Sequence, residues 1–172
     1  GPCFYIYRIT MDGRSQTGVA VSASVQAYNE NRIKKHELTR PAKEDDRVHQ
    51  IEAVNSITGP VFTVHRANRE LGALFDEISA AVPDAVADRV GGALHELWVV
   101  SDKATVARIG ALLNAMDALY IADGHHRSAA AGRIAASRAA ASPAHDGSEA
   151  YNGFLAVSFP DDEVTILDYN RV

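Results

Sequence analysis

Residues Leu119-Tyr120-Ile121-Ala122-Asp123-Gly124-His125-His126-Arg127 carry the architecture of this chain in miniature. A short apolar strand, 118–122, runs into Asp-Gly, and an alanine-rich helix, 124–141, begins at once. The first turn of a helix exposes free N–H groups and the positive end of the helix dipole. Gly124 lets a ligand approach the backbone closely. Arg127 brings a planar donor fork suited to phosphate, and His125 and His126 add further donors. Cations at this end oppose the dipole, so these three residues do nothing for the helix itself. A strand end that feeds such donors into a helix N-terminus has the chemistry of a phosphate cradle. Asp123 is the acceptor among them, suited to a divalent cation or a substrate hydroxyl. Two plainer readings compete. In one, Asp123 caps the helix and the histidines are solvated. In the other, Asp123, His125 or His126 binds a metal, although adjacent histidines diverge and no HExxH-type pair is present.

Outward from this junction the chain alternates irregularly between strand and helix patterns. Phe4-Tyr5-Ile6-Tyr7-Arg8-Ile9 is aromatic and β-branched, Asp12-Gly13 signals a hairpin turn, and 18–25 reads as the return strand. Residues 28–39 read as a short helix followed by a loop. Pro41 opens a helix that runs to Ile57, and Gly59-Pro60 stops it. A strand over 61–65 follows, then a helix over 70–82 with Leu71, Leu74, Phe75 and Ile78 at helical spacing. Gly91-Gly92 joins two strands, 86–90 and 93–100. Asp102 caps a helix over 103–116. Two final strands, 154–159 and 164–169, flank Pro160-Asp161-Asp162. Such a mixture predicts an α+β (mixed α/β) chain with hairpins and helices packed on a mixed sheet.

A second stretch carries chemistry. Arg32, Lys34, Lys35, His36, Arg40, Lys43, Arg47 and His49 gather together, interleaved with Glu37, Glu44, Asp45 and Asp46. Most of these charges fit the solvated face of a helix. Lys35-His36-Glu37 differs, because it lies in a loop ahead of Pro41, where catalytic residues concentrate. Glu37 is the candidate general base. His65 and His95 read as structural, and Trp98, Tyr5, Tyr7 and Phe62 as core.

With 172 residues, 47% of them hydrophobic, the chain can bury a real core as a single domain, 1–172. It opens and stops on strand patterns, which predicts a fragment of a longer protein. No apolar run approaches the ~20 residues of a membrane span. The single cysteine, Cys3, excludes a disulfide framework and favours the cytoplasm. A net charge of −5 argues against nucleic acid as partner and leaves a small-molecule substrate.

Lys35-His36-Glu37-x-Thr39, Lys43-Glu44-x-Asp46-Arg47, Asn55, Leu97-Trp98 and the Ile121-to-Arg127 string, in this order, resemble the DUF1015 proteins. The Gly-His-His-Arg turn is also distantly similar to the signature of the ParB/sulfiredoxin-like nucleotide-binding superfamily, which includes free-serine kinases. That similarity implies a ParB/sulfiredoxin-like core. It implies that Gly124, His125, His126 and Arg127 hold phosphate, and that Asp123 meets Mg2+ or substrate. It further implies that Glu37, Asp123 and His125 are catalytic, with His36 and Arg47 as substrate contacts. Ser128 departs from relatives that carry Tyr there, which bears on the walls of the cradle.

The leading expectation is therefore phosphoryl transfer from ATP, ADP or pyrophosphate to a hydroxyl substrate, free L-serine first among them. Such chemistry needs positioning, charge neutralisation and a base. The alternatives are a non-catalytic nucleotide-binding switch and a metal-dependent hydrolase.

Overall fold

The computed structural model describes residues 1–166. Its framework is one mixed sheet of eight strands: β1 (Phe4–Met11), β2 (Arg14–Ser24), β3 (Ile33–Lys34), β4 (Val61–His65), β5 (Ala85–Val90), β6 (Ala93–Val100), β7 (Leu119–Asp123) and β8 (Gly153–Pro160). The order across the sheet is β3-β7-β4-β8-β2-β1-β6-β5. The β4–β8 and β3–β7 pairs are parallel and the rest antiparallel. Five helices complete the fold: α1 (Val25–Asn29), α2 (Pro41–Val54), α3 (Arg69–Ser79), α4 (Lys103–Asn114) and α5 (His125–Ala141). The mixed α/β class expected from the sequence is the one observed.

Register explains where the core sits. Ile6 pairs with Val19, Val19 with Ser158, Ser158 with Thr63, and Thr63 with Ile121. These five residues form one row across five strands and are almost completely inaccessible. Side chains alternate across a strand, so this row and its i±2 neighbours make one buried face. Leu71, Leu74 and Phe75 of α3 and Ile109 of α4 cover it around Ile6, Val19 and Trp98. Ala131 and Ala135 of α5, with Val25 and Tyr28 of α1, cover it around Val61, Ile121 and Phe154. The opposite face leaves Tyr5, Val99, Tyr120 and Leu155 exposed. Tyr5 is thus on the open face and not in the core.

The alanines of α5 are what let it lie close to β4 and β8. A third small cluster, Ile51 with Ala130 and Ile134, joins α2 to α5. Ile51 lies near the end of α2, so this contact docks that end on the middle of α5, while Arg133 of α5 pairs with Glu44 and Asp45 nearer the start of α2.

Apart from shifts at element ends, such as β2 starting at Arg14 and α3 ending at Ser79, four differences from expectation stand out. The helix expected from Tyr28 begins earlier, at Val25, because Ser24 caps it by accepting the N–H of Ala27. Ile33–Lys34 is a strand, paired with β7, a partner 86 residues away in sequence at Ile33 and Leu119. Helix α2 ends at Val54, where Asn55 adopts the left-handed conformation at φ 47°. Val164, Thr165 and Ile166 carry no strand, and the rest of the strand expected over 164–169 lies outside the described residues. Among the described residues, no helix is long and apolar enough to cross a membrane.

Candidate functional site

Strand β7 ends at Asp123, and Gly124 turns the chain into α5 with φ 103°. That backbone conformation is costly for any residue with a Cβ. A Cβ here would also lie 3.0 Å from Arg127 Nη2 and 3.2 Å from the Cα of Val61. The neighbouring β4–β7 ladder is irregular between Phe62 and Thr63, beside the partner of Asp123. A bulge of this kind re-aims the end of a strand.

Among the described residues, no side chain caps α5. Asp123 instead meets Arg127: Oδ2 accepts from Nη2 at 2.6 Å. The first-turn N–H groups of α5 are therefore left without a capping oxygen. The Nε of Arg127 is buried and has no protein partner among the described residues. Gly59 makes room for this side chain, since a Cβ there would sit 3.3 Å from Arg127 Cδ.

A cleft of about 390 Å³ opens above this turn. Glu37, Lys43, Asp46, Arg47, Asp123 and Arg127 contribute its charged walls. The loop between β3 and α2 delivers Glu37, and α2 delivers Lys43, Asp46 and Arg47. The Glu37 loop and the Asp123–Arg127 turn are thus brought to one cleft from positions more than eighty residues apart. Three fixed cations face three carboxylates there. A bare anion meets opposition from the carboxylates, whereas a phosphate already chelated to a divalent cation meets a balanced wall.

The histidines take unexpected places. His125 is only 4% exposed, and its Nε2 accepts the backbone N–H of His36 at 3.4 Å. Its Nδ1 is 3.6 Å from Glu37 Oε2. Burial, then the neighbouring His36, holds the His125 imidazole below its ordinary pKa, against an opposing pull from Glu37 and Asp123. His126 Nε2 accepts the backbone N–H of Arg40 at 3.2 Å. Ser128 is fully buried under the same turn, donating to the carbonyl of His125, and so forms no wall of the cleft. Lys35 sets its ammonium over the Tyr28 ring, 3.8 Å from the centroid.

Among the described residues, His36, Glu37 and His125 are the one group whose ligand atoms lie close enough, within 4.8 Å, to share a metal ion. The surroundings of His125 are the reverse of a metal ligand's. A ligating imidazole donates its second N–H to an oxygen. Here the second nitrogen already receives an amide hydrogen. Asp123, the sequence-based metal candidate, stands apart from this group and is paired with Arg127.

Sequence reasoning passed over Lys43 and Asp46 as site residues and read Gly59 only as a helix stop. The spacing of 43, 46 and 47 was a usable signal, because residues three and four apart share one face of a helix. Gly59 touches Arg127 across 68 positions of sequence and gives no local sign of it.

Fold and cleft together define a mixed α/β chain whose uncapped strand–turn–helix junction opens on a charged cleft. The chain belongs to the DUF1015 family, described as "Protein of unknown function (DUF1015)", whose model matches residues 1–172. Comparison with curated proteins and comparison with solved structures each give no match.

Proposed function

We propose that this chain carries the site of a small-molecule phosphotransferase. The carrying observation is the meeting, in one cleft, of an exposed carboxylate on a loop and an uncapped helix start with an arginine fork. In this reading the N–H groups of the Gly124-to-Arg127 turn and the Arg127 guanidinium hold the donor phosphates. Lys43 and Arg47 neutralise charge from the facing helix. Glu37 takes the proton from the acceptor hydroxyl, whose oxygen bonds to the transferred phosphorus. The bridging P–O bond of the donor breaks, and the leaving phosphate keeps the electron pair. The donor set suits Mg2+: Asp123 keeps Oδ1 without a protein partner among the described residues, and Asp46 lines the same cleft. Asp123 and Asp46 would hold the ion, which would supply neutralisation of charge on the donor phosphate.

The substrate is proposed to be a small hydroxylated metabolite, free L-serine first, with ATP, ADP or pyrophosphate as donor. The similarity of the Asp-Gly-His-His-Arg turn to the ParB/sulfiredoxin-like superfamily supports that choice. The test is a screen of ATP, ADP, GTP and pyrophosphate against hydroxylated metabolites, using the full-length protein with Mg2+. Phosphorylated product supports the reading. Tight nucleotide binding with no product supports a switch instead.

A further inference from the structure

The loop that carries Glu37 has little of its own to hold it. Residues 36–39 make no backbone–backbone hydrogen bond among the described residues. Leu38, at its tip, is almost wholly exposed. Three side-chain contacts supply what the backbone lacks. His125 Nε2 takes the N–H of His36 at one end, and His126 Nε2 takes the N–H of Arg40 at the other. Between them, the Thr39 hydroxyl donates to Glu44 of α2. The His36 and His125 rings also meet edge to face, with centroids 4.5 Å apart.

The two imidazoles come from consecutive residues of α5, yet they reach opposite ends of one five-residue loop. Both are acceptors there, so neither offers its Nε2 as a donor to a phosphate. A general base must be held at hydrogen-bond reach of its substrate proton, and a misplacement near 1 Å can cost about a hundredfold in rate. We propose that His125 and His126 are positioning residues, a two-point clamp that fixes the Glu37 loop to the helix carrying the phosphate cradle. This assignment rests on the reading of Glu37 as base. It leaves phosphate binding to Arg127 and the backbone N–H groups.

The test compares His126→Ala, which removes the acceptor, with His126→Gln, whose Oε1 can stand where Nε2 stood. His125→Gln serves at the buried position, where a smaller side chain would leave a hole. Amide hydrogen exchange is read at residues 36–40, together with pyrophosphate binding in the presence of Mg2+, and kcat and KM where turnover is found. The clamp predicts about tenfold faster exchange of the Arg40 amide in His126→Ala, the scale of one lost hydrogen bond. It predicts near-normal exchange in the two Gln variants and unchanged pyrophosphate affinity in all three. With turnover, His126→Ala lowers kcat by about tenfold to a hundredfold at constant KM, and the Gln variant recovers it. Unchanged exchange over 36–40 in His126→Ala overturns the clamp. So does loss of pyrophosphate binding in both His126 variants with the loop still protected, which makes the ring a phosphate ligand. If the wild-type protein phosphorylates nothing, the base reading falls, and the exchange data alone decide whether the clamp exists.

Discussion

Arg127 Nη2 and Asp123 Oδ2 lie 2.6 Å apart across the junction of β7 and α5. Arg127 is 34% exposed and Asp123 74%, so water screens the pair and its contribution to stability is small. Its consequence is orientation: the guanidinium is held over the uncapped start of α5 with Nε still unpartnered. Arg127→Ala is therefore expected to weaken pyrophosphate binding by about 1.5–3 kcal/mol, the scale of a lost charge-assisted hydrogen bond. Thermal stability should hardly change. Titration calorimetry and a melting curve check both halves, and unchanged affinity contradicts the cradle.

Gly124 is required twice over, by its φ of 103° and by the Arg127 side chain that a Cβ would press. Gly124→Ala is expected to destabilise the fold by about 1–2 kcal/mol, the usual cost of a left-handed non-glycine residue. At roughly 2–4 °C per kcal/mol for a chain of this size, the melting temperature should fall by several degrees. Displacement of Arg127 should lower anion affinity as well, in contrast to Gly13→Ala, where a Cβ meets nothing within 4 Å among the described residues. Gly13→Ala carries only the backbone cost at its φ of 76°.

The balance of charge in the cleft makes a prediction about metal. Glu37, Asp46 and Asp123 oppose a bare polyphosphate. Pyrophosphate should bind more tightly with Mg2+ than with EDTA by about tenfold or more. Asp123→Asn should shrink that difference. Equal affinity with and without Mg2+ contradicts a metal-bridged donor.

Stability should depend on pH through a residue far from the cleft. His65 is 2% exposed and shares a 2.8 Å hydrogen bond with Ser158. Burial lowers its pKa from 6.5 to about 4, despite an opposing pull from Asp161 and Asp162. Between pH 6.5 and about 4 the unfolded chain takes up a proton that the folded one refuses. Stability is therefore full above pH 6.5, falls as the pH drops through that window, and levels off below about 4. The loss approaches about 3 kcal/mol at 1.36 kcal/mol per pKa unit. Denaturant titrations at neutral and mildly acid pH measure it. The double variant His65→Leu with Ser158→Ala, which removes both partners, should lose most of the slope.

Much of this was legible in the chain itself. The Leu71, Leu74, Phe75 and Ile78 stripe, the Asp102 cap and the Asp12-Gly13 turn are local signals, and each corresponds to an element observed. The Asp123-to-Arg127 turn was legible for the same reason, as a strand end followed at once by a helix. What could not be read depends on distant partners. Ile33–Lys34 is too short to show a period and is a strand only because β7 lies beside it. Asp123 read as an acceptor for a cation or a substrate hydroxyl, with a helix cap as the plainer alternative, and its pairing with Arg127 across the Gly124 turn gave no sign of itself. His125 and His126 read as donors to a ligand, because the amides of His36 and Arg40 that they accept arrive from another part of the fold.

In the proposed reaction Glu37 activates a hydroxyl for attack on a phosphate held at the Gly124-to-Arg127 turn. General-base assistance is worth about 10²–10⁴ in rate. The most direct measurement is the turnover of Glu37→Gln beside the wild type in the full-length protein, with donor affinity measured on the same samples. Glu37→Gln is expected to lower kcat by about that factor while the donor binds as before. A Glu37→Gln protein that phosphorylates its acceptor at the wild-type rate contradicts it.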